Sequence, residues 1–492
     1  MYRLVIHGLT CLAVVAVILG FFGILPFSGW QLFGSLILLV AACLVLHELL
    51  KHWFSAPANI ESTIITALIL FFILSPFTNL SEALTLVIAA IFATASKYIL
   101  AYRKRHLFNP AAFGAVVIGA LGSPLVSWWV GSAPLIIFTP ILGFAIARKV
   151  RRFTMVASCI ASSLAVIMIY AARLGTSPAD AFVQAWVSWP LVFFATIMLT
   201  EPFTTPPTQR WRIAYGALIG VLFPLPFHVG PLYSAPELAL LIGNLLSFAV
   251  SLKMRLGLCL KEKNKLAAGL YEFVFIPDHP LQYRPGQYLE WTLPHRPADR
   301  RGIRRYFTVA SSPTEDMIRL GVRISENPSS FKKALVNLSE GTRLSAAPLA
   351  GDFTLPRDRE EKLAFIAGGI GVTPFRSMVK YLLDTGEKRD VVLFYMCASF
   401  AGFAYMDLFE SAKVAFGMKI VPLVTNPQDA GADWKGRVGM LTDAVVKEEA
   451  PDYLARRYYL SGPSAMVDTY KALLKTMGVP RKKIMTDYFP GF

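Results

Sequence analysis

The pattern of apolar and polar residues differs between the two halves of the chain. In the first 250 residues, long apolar runs alternate with short polar loops. A transmembrane helix needs about 20 mainly apolar residues. Ten runs approach that length, at residues 6–25, 30–50, 62–78, 83–101, 111–128, 133–148, 153–172, 184–200, 212–230 and 236–252. The pattern therefore predicts a transmembrane domain of ten α-helices over residues 1–255.

The loops between these runs differ strongly in basic charge. Assigning successive loops to alternate sides leaves Arg173 on one side and groups the other basic residues together: Arg3, Lys51, Lys97, Arg103, Lys104, Arg105, Arg148, Lys149, Arg151, Arg152, Arg210, Arg212, Lys253 and Arg255. Basic loops remain in the cytoplasm. We therefore expect a multi-pass integral membrane protein, of the inner (cytoplasmic) membrane if bacterial, with both termini and the second half in the cytoplasm. Because a second apolar run follows closely, the first is interpreted as a retained helix rather than a signal peptide.

The second half of the chain has no apolar run long enough to span a membrane. Short alternating strands such as 271–276, with turn signals such as 284–287, predict an antiparallel β-barrel over residues 256–357. From Lys362 the pattern becomes strand, glycine-rich turn, helix and strand, which indicates a parallel sheet covered by helices. We therefore expect an α/β doubly wound nucleotide-binding domain over residues 358–492.

Composition agrees with a membrane protein that carries a soluble half. Hydrophobic residues make up 55% of the 492 residues and charged residues 16%, against about a quarter charged in soluble proteins. A wholly soluble enzyme and a disordered chain are thereby excluded. The net charge of +16 follows from the basic loops, so no nucleic-acid partner is expected. The five cysteines stand singly, which encodes no iron–sulfur cluster, zinc site or disulfide framework, and no metal is expected.

A glycine-rich turn connects the first strand and the first helix of the α/β domain. It reads Ala-Gly-Gly-Ile-Gly-Val-Thr-Pro over residues 367–374. Missing side chains let the backbone approach a ligand, and the N-terminus of the following helix favours a phosphate. Tight packing of a strand on a helix would need the same glycines. The turn alone therefore leaves ligand binding and packing open.

Four further motifs accompany this turn along the chain. They are Pro285-Gly286-Gln287-Tyr288, Arg305-Tyr306-Phe307-Thr308 with the Val-Ala-Ser-Ser-Pro that follows, Ser329-Ser330-Phe331-Lys332, and the segment 459–466. In order and spacing, the five motifs resemble the ferredoxin-NADP reductase family over residues 258–492. The resemblance implies a barrel that binds FAD, a domain that binds NAD(P)H, and hydride transfer from the nicotinamide to the flavin.

The resemblance also assigns roles to single residues. Arg305 would pair with the FAD pyrophosphate, Phe307 would offer a flat apolar face to the flavin ring, and Thr308 would place a hydroxyl near N5. The other positions implied for FAD are Pro285, Gln287, Tyr288, Tyr306, Ser329 and Ser330. Those implied for the nicotinamide dinucleotide are Gly368, Gly369, Gly371, Thr373, Pro374, Gly462 and Pro463.

Two further positions complete the expected catalytic set with Thr308. Ser461 stands where many family members have cysteine, and its hydroxyl can still contact the nicotinamide, so an altered rate is expected. Phe489 matches the terminal aromatic residue that shields the flavin in the family, while a terminal aromatic cluster that packs the core is the alternative. The choice between NADH and NADPH stays open, because no carboxylate follows closely after Cys397-Ala398-Ser399.

The first half carries motifs of its own. They lie at residues 96–114, 199–206, 215–220 and 241–244. Over residues 40–250 they resemble the D subunit of Rnf complexes and the B subunit of sodium-pumping NADH:quinone reductase. The resemblance implies a second flavin, riboflavin or FMN, held near Asn109. The family's covalent FMN threonine is missing from Val130-Gly131-Ser132-Ala133-Pro134, so this flavin is expected to be non-covalent.

Taken together, the two halves predict a membrane-bound flavoprotein oxidoreductase. It would pass electrons from cytoplasmic NAD(P)H through FAD to a flavin or a quinone in the lipid bilayer. A homo-oligomer or a subunit of a larger complex stays open. One alternative is a redox-driven ion-translocating transporter or electron-transport complex subunit. The other, a haem-type ferric reductase, needs paired histidines on two helices, and no repeated spacing is found among His7, His47, His52, His106 and His228.

Overall fold

The computed structural model of the protein divides into two compact units, residues 1–254 and 255–492. The structure describes residues 2–54, 60–102, 105–150, 152–187, 189–202, 204–229, 232–251, 256–267, 269–299, 302–431, 434 and 436–489. The first unit is helical, and the second is built on an antiparallel sheet and a parallel sheet.

The first unit consists of helices joined by short loops. These are α1 (Tyr2–Phe21), α2 (Gly29–Phe54), α3 (Ile60–Ile73), α4 (Leu80–Ile99), α5 (Pro110–Ala120), α6 (Phe138–Val150), α7 (Phe153–Leu174), α8 (Pro178–Val187), α9 (Leu191–Phe193), α10 (Gln209–Leu222) and α11 (Pro236–Val250). A π-helical segment, Phe194–Met198, continues α9. Two hairpins pair β1 (Ala101–Tyr102) with β2 (Arg105–His106) and β3 (His228–Val229) with β4 (Leu232–Tyr233).

Several of these helices can cross a membrane by length and composition. Among the described residues, four qualify: Leu4–Phe21, Gly29–Trp53, Leu80–Ile99 and Phe153–Leu174. A fifth span results if α8 and the stretch Leu191–Met198, which are bent by 61°, count as one. Membrane association is therefore supported. Each of the ten predicted runs contains a helix, but the count of ten spans and the cytoplasmic orientation stay predictions.

Close backbone contacts pack the helices of this unit. A Cβ atom on Gly114 of α5 would lie 2.6 Å from the carbonyl oxygen of Ala89 in α4, and one on Gly220 of α10 would lie 2.3 Å from that of Cys159 in α7. Small residues permit such approach between helices in lipid, where packing rather than the hydrophobic effect drives association.

The second unit begins with an antiparallel sheet. Its strands are β5 (Leu256–Ala267), β6 (Leu270–Pro277), β7 (Tyr288–Thr292), β8 (Arg304–Thr308), β9 (Ile318–Arg323) and β10 (Arg343–Ala350), in the spatial order β8-β7-β10-β5-β6-β9. A short helix, α12 (Ser330–Val336), lies between β9 and β10 along the chain. The predicted antiparallel character is found, whereas closure of the sheet into a barrel stays a prediction.

A parallel sheet follows. Its strands are β11 (Leu363–Gly368), β12 (Val391–Cys397), β13 (Lys419–Val424), β14 (Arg437–Val438), β15 (Arg457–Pro463) and β16 (Ile484–Phe489), in the spatial order β14-β13-β12-β11-β15-β16. The helices are α13 (Thr373–Thr385), α14 (Met406–Phe416), α15 (Asp443–Glu449) and α16 (Ser464–Thr476). The strand order reverses between β11 and β15, and ligands of such sheets bind in the crevice at the carboxyl ends of the strands at this point.

Alternate residues of the central strands supply two separate cores. Leu363, Phe365 and Ala367 of β11 pack with side chains of α13 and α14. Ala364 and Ile366 pack on the opposite face with side chains of α15 and α16. The helices therefore cover both faces of the sheet, as the sequence predicts for a doubly wound domain.

Candidate functional site

The glycine-rich turn and the segment 461–463 meet at the reversal point of the parallel sheet. A Cβ atom on Gly371 would lie 2.3 Å from the carbonyl oxygen of Ser461 and 2.6 Å from the Cα of Gly462. Gly369 adopts a left-handed backbone with φ of +53°, which glycine tolerates best. The backbones of the two motifs therefore touch at the carboxyl ends of β11 and β15.

Two buried hydroxyls mark the sheet ends in this unit. Thr308 ends β8, opposite Tyr288 of β7, and is 3% exposed. Ser461 of β15, between Ala367 and Asp487 of the neighbouring strands, is fully buried. In the part of the chain that the structure describes, neither hydroxyl has a hydrogen-bond partner. Buried polar groups are nearly always satisfied, so each hydroxyl is available to a ligand or a water.

Arg305, Ser329 and Ser330 come together at the start of α12. Ser329 caps the helix, because its Oγ accepts a hydrogen bond from the Lys332 backbone N–H. The Arg305 guanidinium lies 3.2 Å from one carboxylate oxygen of Asp299. The other oxygen of Asp299 accepts from the Ser330 backbone N–H at 3.1 Å. These donors already hold an anionic group, and they suit a pyrophosphate for the same reason.

Aromatic rings flank this anion-binding group. The Phe307 and Phe331 rings lie 5.8 Å apart, and the Arg305 guanidinium lies 5.3 Å from the centre of the Phe331 ring. Tyr288 and Tyr306 meet edge to face at 5.7 Å, and Tyr306 is 48% exposed. The β7 and β8 motifs thus present flat faces beside the cationic group.

The Pro285–Gln287 segment is a structural turn. Gln287 accepts from the Arg284 backbone N–H at 2.9 Å and donates to the Gly351 carbonyl at 3.1 Å. Gly286 has a φ of +91°, and a Cβ atom there would lie 2.1 Å from the Phe353 carbonyl oxygen. Through these hydrogen bonds, the Gln287 side chain fixes the turn that precedes β7, the strand that begins with Tyr288.

An ion pair joins the antiparallel sheet region to the helix after the glycine-rich turn. Arg376 of α13 donates to the Ala310 carbonyl at 3.1 Å and to both carboxylate oxygens of Glu315. Burial opposes ionisation of Glu315, but the hydrogen bonds and charge of Arg376 outweigh it and hold the pKa of this carboxyl below its usual value. The pair therefore fixes the glycine-rich turn relative to the segment after Thr308.

We predict that Glu315→Gln destabilises α13 at neutral pH. Removing one partner of a buried pair costs about 3–5 kcal/mol, and the Arg376 and Glu315 side chains are only 9% and 14% exposed. Because the folded pKa of Glu315 is depressed, the stabilisation exists above its unfolded pKa and is lost as pH falls through the folded value. Hydrogen exchange of α13 peptides in the full-length protein would measure this effect at pH 7 and in acid.

A matched control is Glu410→Gln, which removes an exposed carboxylate paired with Lys413 on α14. Exposed pairs contribute about 0–1 kcal/mol. An equal loss of hydrogen-exchange protection in Glu315→Gln and Glu410→Gln would contradict the stabilisation of α13 by Glu315.

Sequence reasoning missed two charged residues of the site. Asp299 lies between Arg305 and the start of α12, although no motif includes it. Arg323 ends β9, and its Nη1 would lie 3.8 Å from a Cβ atom on Gly369. In the sequence, Arg323 could be recognised only as a basic residue at the end of strand β9. It adds positive charge beside the glycine-rich turn, which suits a phosphate.

The thiol beside this turn is neutral. Cys397 ends β12, and its Sγ lies 3.3 Å from the Gly402 carbonyl oxygen. Burial raises the pKa of the Cys397 thiol to about 12. The group therefore adds no negative charge that would repel a phosphate at neutral pH.

The last predicted catalytic residue is described only in part. The backbone of Phe489 pairs with Pro463 at the end of β16. Its side chain and residues 490–492 lie outside the described residues. The shielding role of Phe489 stays a prediction.

In the first unit, four sequence motifs converge on Asn109, Glu201, Tyr215 and Asn244, which we call the Asn109 cluster. Asn109 caps α5 by accepting from the Ala112 N–H at 3.1 Å, and it donates to Glu201 Oε2 at 2.8 Å. Its backbone N–H donates to Asn244 at 2.8 Å, and Asn244 donates to Tyr215 at 2.9 Å. Contacts between motifs separated by up to 135 residues were not evident from the sequence.

The surroundings of Asn109 fit a flavin ring poorly. The residue is 2% exposed, and its amide is engaged at both ends. The adjoining cavity measures about 50 Å³, against about 300–1,000 Å³ for pockets that hold small organic ligands. We therefore derive no step through a second flavin, which stays a prediction from the resemblance.

Comparison with known proteins identifies the class of the second unit. Residues 365–472 match the family model "Oxidoreductase NAD-binding domain". A flavohemoprotein of Halalkalibacterium halodurans is 25% identical over 46% of this chain and 58% of its own length. A reductase subunit of stachydrine N-demethylase from Rhizobium meliloti is 29% identical over 42% of this chain and 58% of its own. The chain thus spans less than two thirds of these curated relatives.

Solved structures give likenesses of similar extent. The cytochrome P450 reductase of Amycolatopsis is 25% identical, with a TM-score of 0.43, over 48% of this chain and 69% of that protein. The predicted oxidoreductase class with a nicotinamide-dinucleotide domain is confirmed for the second unit by the family model, and the curated relatives include a flavohemoprotein and a reductase subunit. The likeness of the first unit to Rnf and sodium-pumping reductase subunits is not shown by these matches.

Proposed function

We propose that this chain is a membrane-bound oxidoreductase that takes electrons from NAD(P)H through FAD and delivers them to a quinone in the membrane. The observation that carries the proposal is the pair of buried hydroxyls, Thr308 and Ser461, which lack partners within the described residues. They stand at the ends of strands in the two sheets that the reductase family uses for its two dinucleotides. Each is suited to contact one reacting ring.

The residues around α12 fit the pyrophosphate of FAD. Arg305 would replace its contact with Asp299 by a contact with phosphate, and the Ser330 N–H would donate to the same group. Phe307 and Tyr306 would flank the ring system, and Thr308 would hold its polar edge by a hydrogen bond. When bound, FAD would accept a hydride from the nicotinamide and release electrons one at a time.

The glycine-rich turn fits the pyrophosphate of the nicotinamide dinucleotide. Gly368, Gly369 and Gly371 leave the backbone bare at the reversal point of the sheet, and Thr373 and Pro374 open α13 there. Arg323 would neutralise phosphate charge. Ser461 would orient the nicotinamide, and Gly462 and Pro463 would line its pocket.

The membrane unit supports a lipid-soluble acceptor. The relatives include a xylene/toluene monooxygenase electron transfer component from Pseudomonas putida, 24% identical over 64% of its length. In the present chain, the reductase half is joined instead to helices that can cross a membrane. A quinone dissolved in the bilayer would be the acceptor within reach of such a unit.

Thr308→Val tests the observation that carries this proposal. Valine keeps the shape of threonine and removes the hydroxyl, so FAD content should persist while NAD(P)H-driven flavin reduction slows about fivefold, since one net hydrogen bond contributes about 1 kcal/mol. Stopped-flow absorbance of the flavin would measure the rate. Thr292→Val, a buried threonine on the neighbouring strand β7, should leave the rate unchanged. An unaltered rate in Thr308→Val would refute the role of this hydroxyl.

The cofactor content is a second test. We expect one FAD per chain after acid release from the purified protein, together with quinone reduction by NAD(P)H. A second released flavin would point to a flavin in the membrane unit as the acceptor. A Soret band would favour a haem-type reductase.

A further inference from the structure

A small cavity, lined by nine apolar and five polar residues, adjoins the Asn109 cluster. It measures about 50 Å³, and its polar lining residues are Ser62, Thr66, Asn109, Thr200 and Glu201. A water molecule needs about 10–15 Å³ of such volume and two to four polar partners. The cavity therefore has room for a few waters beside these polar groups, and it is too small for an organic ligand.

Glu201 links this cavity to a second titratable group. Its Oε2 accepts from Asn109 at 2.8 Å and from Thr204 at 3.3 Å. Its Oε1 lies 3.5 Å from Nε2 of His106, and the two side chains are 19% and 15% exposed. Among the described residues that line the cavity, Glu201 supplies the carboxylate.

The backbone before Glu201 is also unusual. The π-helical segment Phe194–Met198 ends two residues before Thr200, and the Thr200 hydroxyl donates to the Thr196 carbonyl at 2.7 Å. Ile197 of this segment lines the cavity. π-Helical turns are rare and frequently occur at functional sites. The geometry thus places a carboxylate at a cavity wall formed by an irregular helix.

The charges around Glu201 favour a proton over a metal ion. Lys97 of α4 donates to the carbonyl and the hydroxyl of Ser62 at 3.0 and 3.3 Å, on the cavity wall, and it is electrostatically coupled to Glu201. Among the described residues, no group of three or more His, Cys, Asp or Glu side chains could hold a metal ion, and Lys97 would repel one, whereas Glu201 and His106 lie close enough to exchange a proton.

We propose that Glu201, together with His106, takes up protons and passes them through this cavity to the membrane acceptor. The inference rests on the proposed function, in which NAD(P)H, a proton and a quinone give NAD(P)⁺ and a quinol. The quinone gains two electrons and binds two protons. A one-electron acceptor such as ferricyanide gains electrons only and needs no proton path.

The test compares Glu201→Gln with Glu237→Gln in the full-length protein in nanodiscs. Glu237 is the matched control, because it is a membrane-unit carboxylate, 4% exposed, bonded to Trp128 at 2.7 Å and absent from the cavity lining. NAD(P)H oxidation is measured with ferricyanide and with a short-chain ubiquinone. Glu201→Gln should slow quinone reduction about 100-fold, as expected for loss of a proton-transfer group, and leave the ferricyanide rate unchanged.

Further variants separate proton transfer from structural damage. Glu201→Asp keeps a carboxylate and should restore most of the quinone rate, and His106→Gln should reproduce the split between acceptors if Glu201→Gln does not fold. An unchanged quinone rate, an equal loss with both acceptors, or an equal loss in Glu237→Gln would overturn the proposal. If the wild-type protein reduces ferricyanide but no quinone, the proposed acceptor is wrong, and the proton path fails with it.

Discussion

Replacing Arg305 with alanine is expected to leave the purified chain without tightly bound FAD and without NAD(P)H oxidation. The Arg305 guanidinium lies 3.2 Å from the Asp299 carboxylate and 5.3 Å from the Phe331 ring, next to the start of α12. Each hydrogen bond to a charged group contributes about 1.5–3 kcal/mol. Loss of two such bonds would weaken FAD binding about 10²- to 10⁴-fold.

The measurement is the ratio of flavin to protein after detergent purification, together with dye-linked NAD(P)H oxidation. Arg304→Ala is the matched control, because Arg304 is the neighbouring residue on β8 and lies 3.8 Å from Glu290 instead of Asp299. The control should keep its flavin. Wild-type flavin content and turnover in Arg305→Ala would show that this arginine does not hold the pyrophosphate.

Gly371→Ala is expected to raise the KM for NAD(P)H about 10- to 100-fold while FAD remains bound. The added Cβ would lie 2.3 Å from the Ser461 carbonyl oxygen and 2.6 Å from the Gly462 Cα. Both atoms belong to the backbone, so no change of rotamer can relieve the contact. Overpacking of this kind costs about 1–3 kcal/mol, and here the strain falls on the two segments that would hold the nicotinamide dinucleotide.

Steady-state kinetics over a range of NAD(P)H concentrations would measure the effect. Gly402→Ala is the control at the same edge of the sheet, because its added Cβ would meet the Cys397 Cβ at 3.3 Å and no backbone atom within 4 Å is among its nearest contacts. An equal KM in wild type and Gly371→Ala would argue that the turn serves packing alone.

The sequence predicts much of the reductase half because its signals are local. A strand, a glycine-rich turn and a helix follow one another within 363–385, and the turn chemistry of Gly369 and Gly371 appears directly in the residue types. Partners from distant segments are harder to predict. Asp299 meets Arg305 and Ser330 only through the packing of α12, and Arg376 meets Glu315 only when α13 docks beside the segment after β8.

In the membrane half, the sequence predicts the helices but not where they end. Apolar runs predict helices, but helix length depends on where the backbone turns. α3 ends at Ile73, where Leu74 pairs with Val126 and the Trp129 indole donates to the carbonyls of Phe71 and Leu74. These contacts satisfy carbonyls that would otherwise need a continued helix. A hydropathy count contains no information on such endings, so the run at 62–78 overestimates the helix.

Successive side chains of β11 pack in two different cores, and this restricts how the sequence of the strand can evolve. Ala364 and Ile366 lie in one core, and Phe365 and Ala367 lie in the other. Deleting a single residue within this strand would send each downstream side chain to the wrong face, and the glycine-rich turn would shift with it. Viable variation in this strand is therefore restricted to substitutions of equal length, while insertions and deletions are confined to loops on the far side of the sheet from the site.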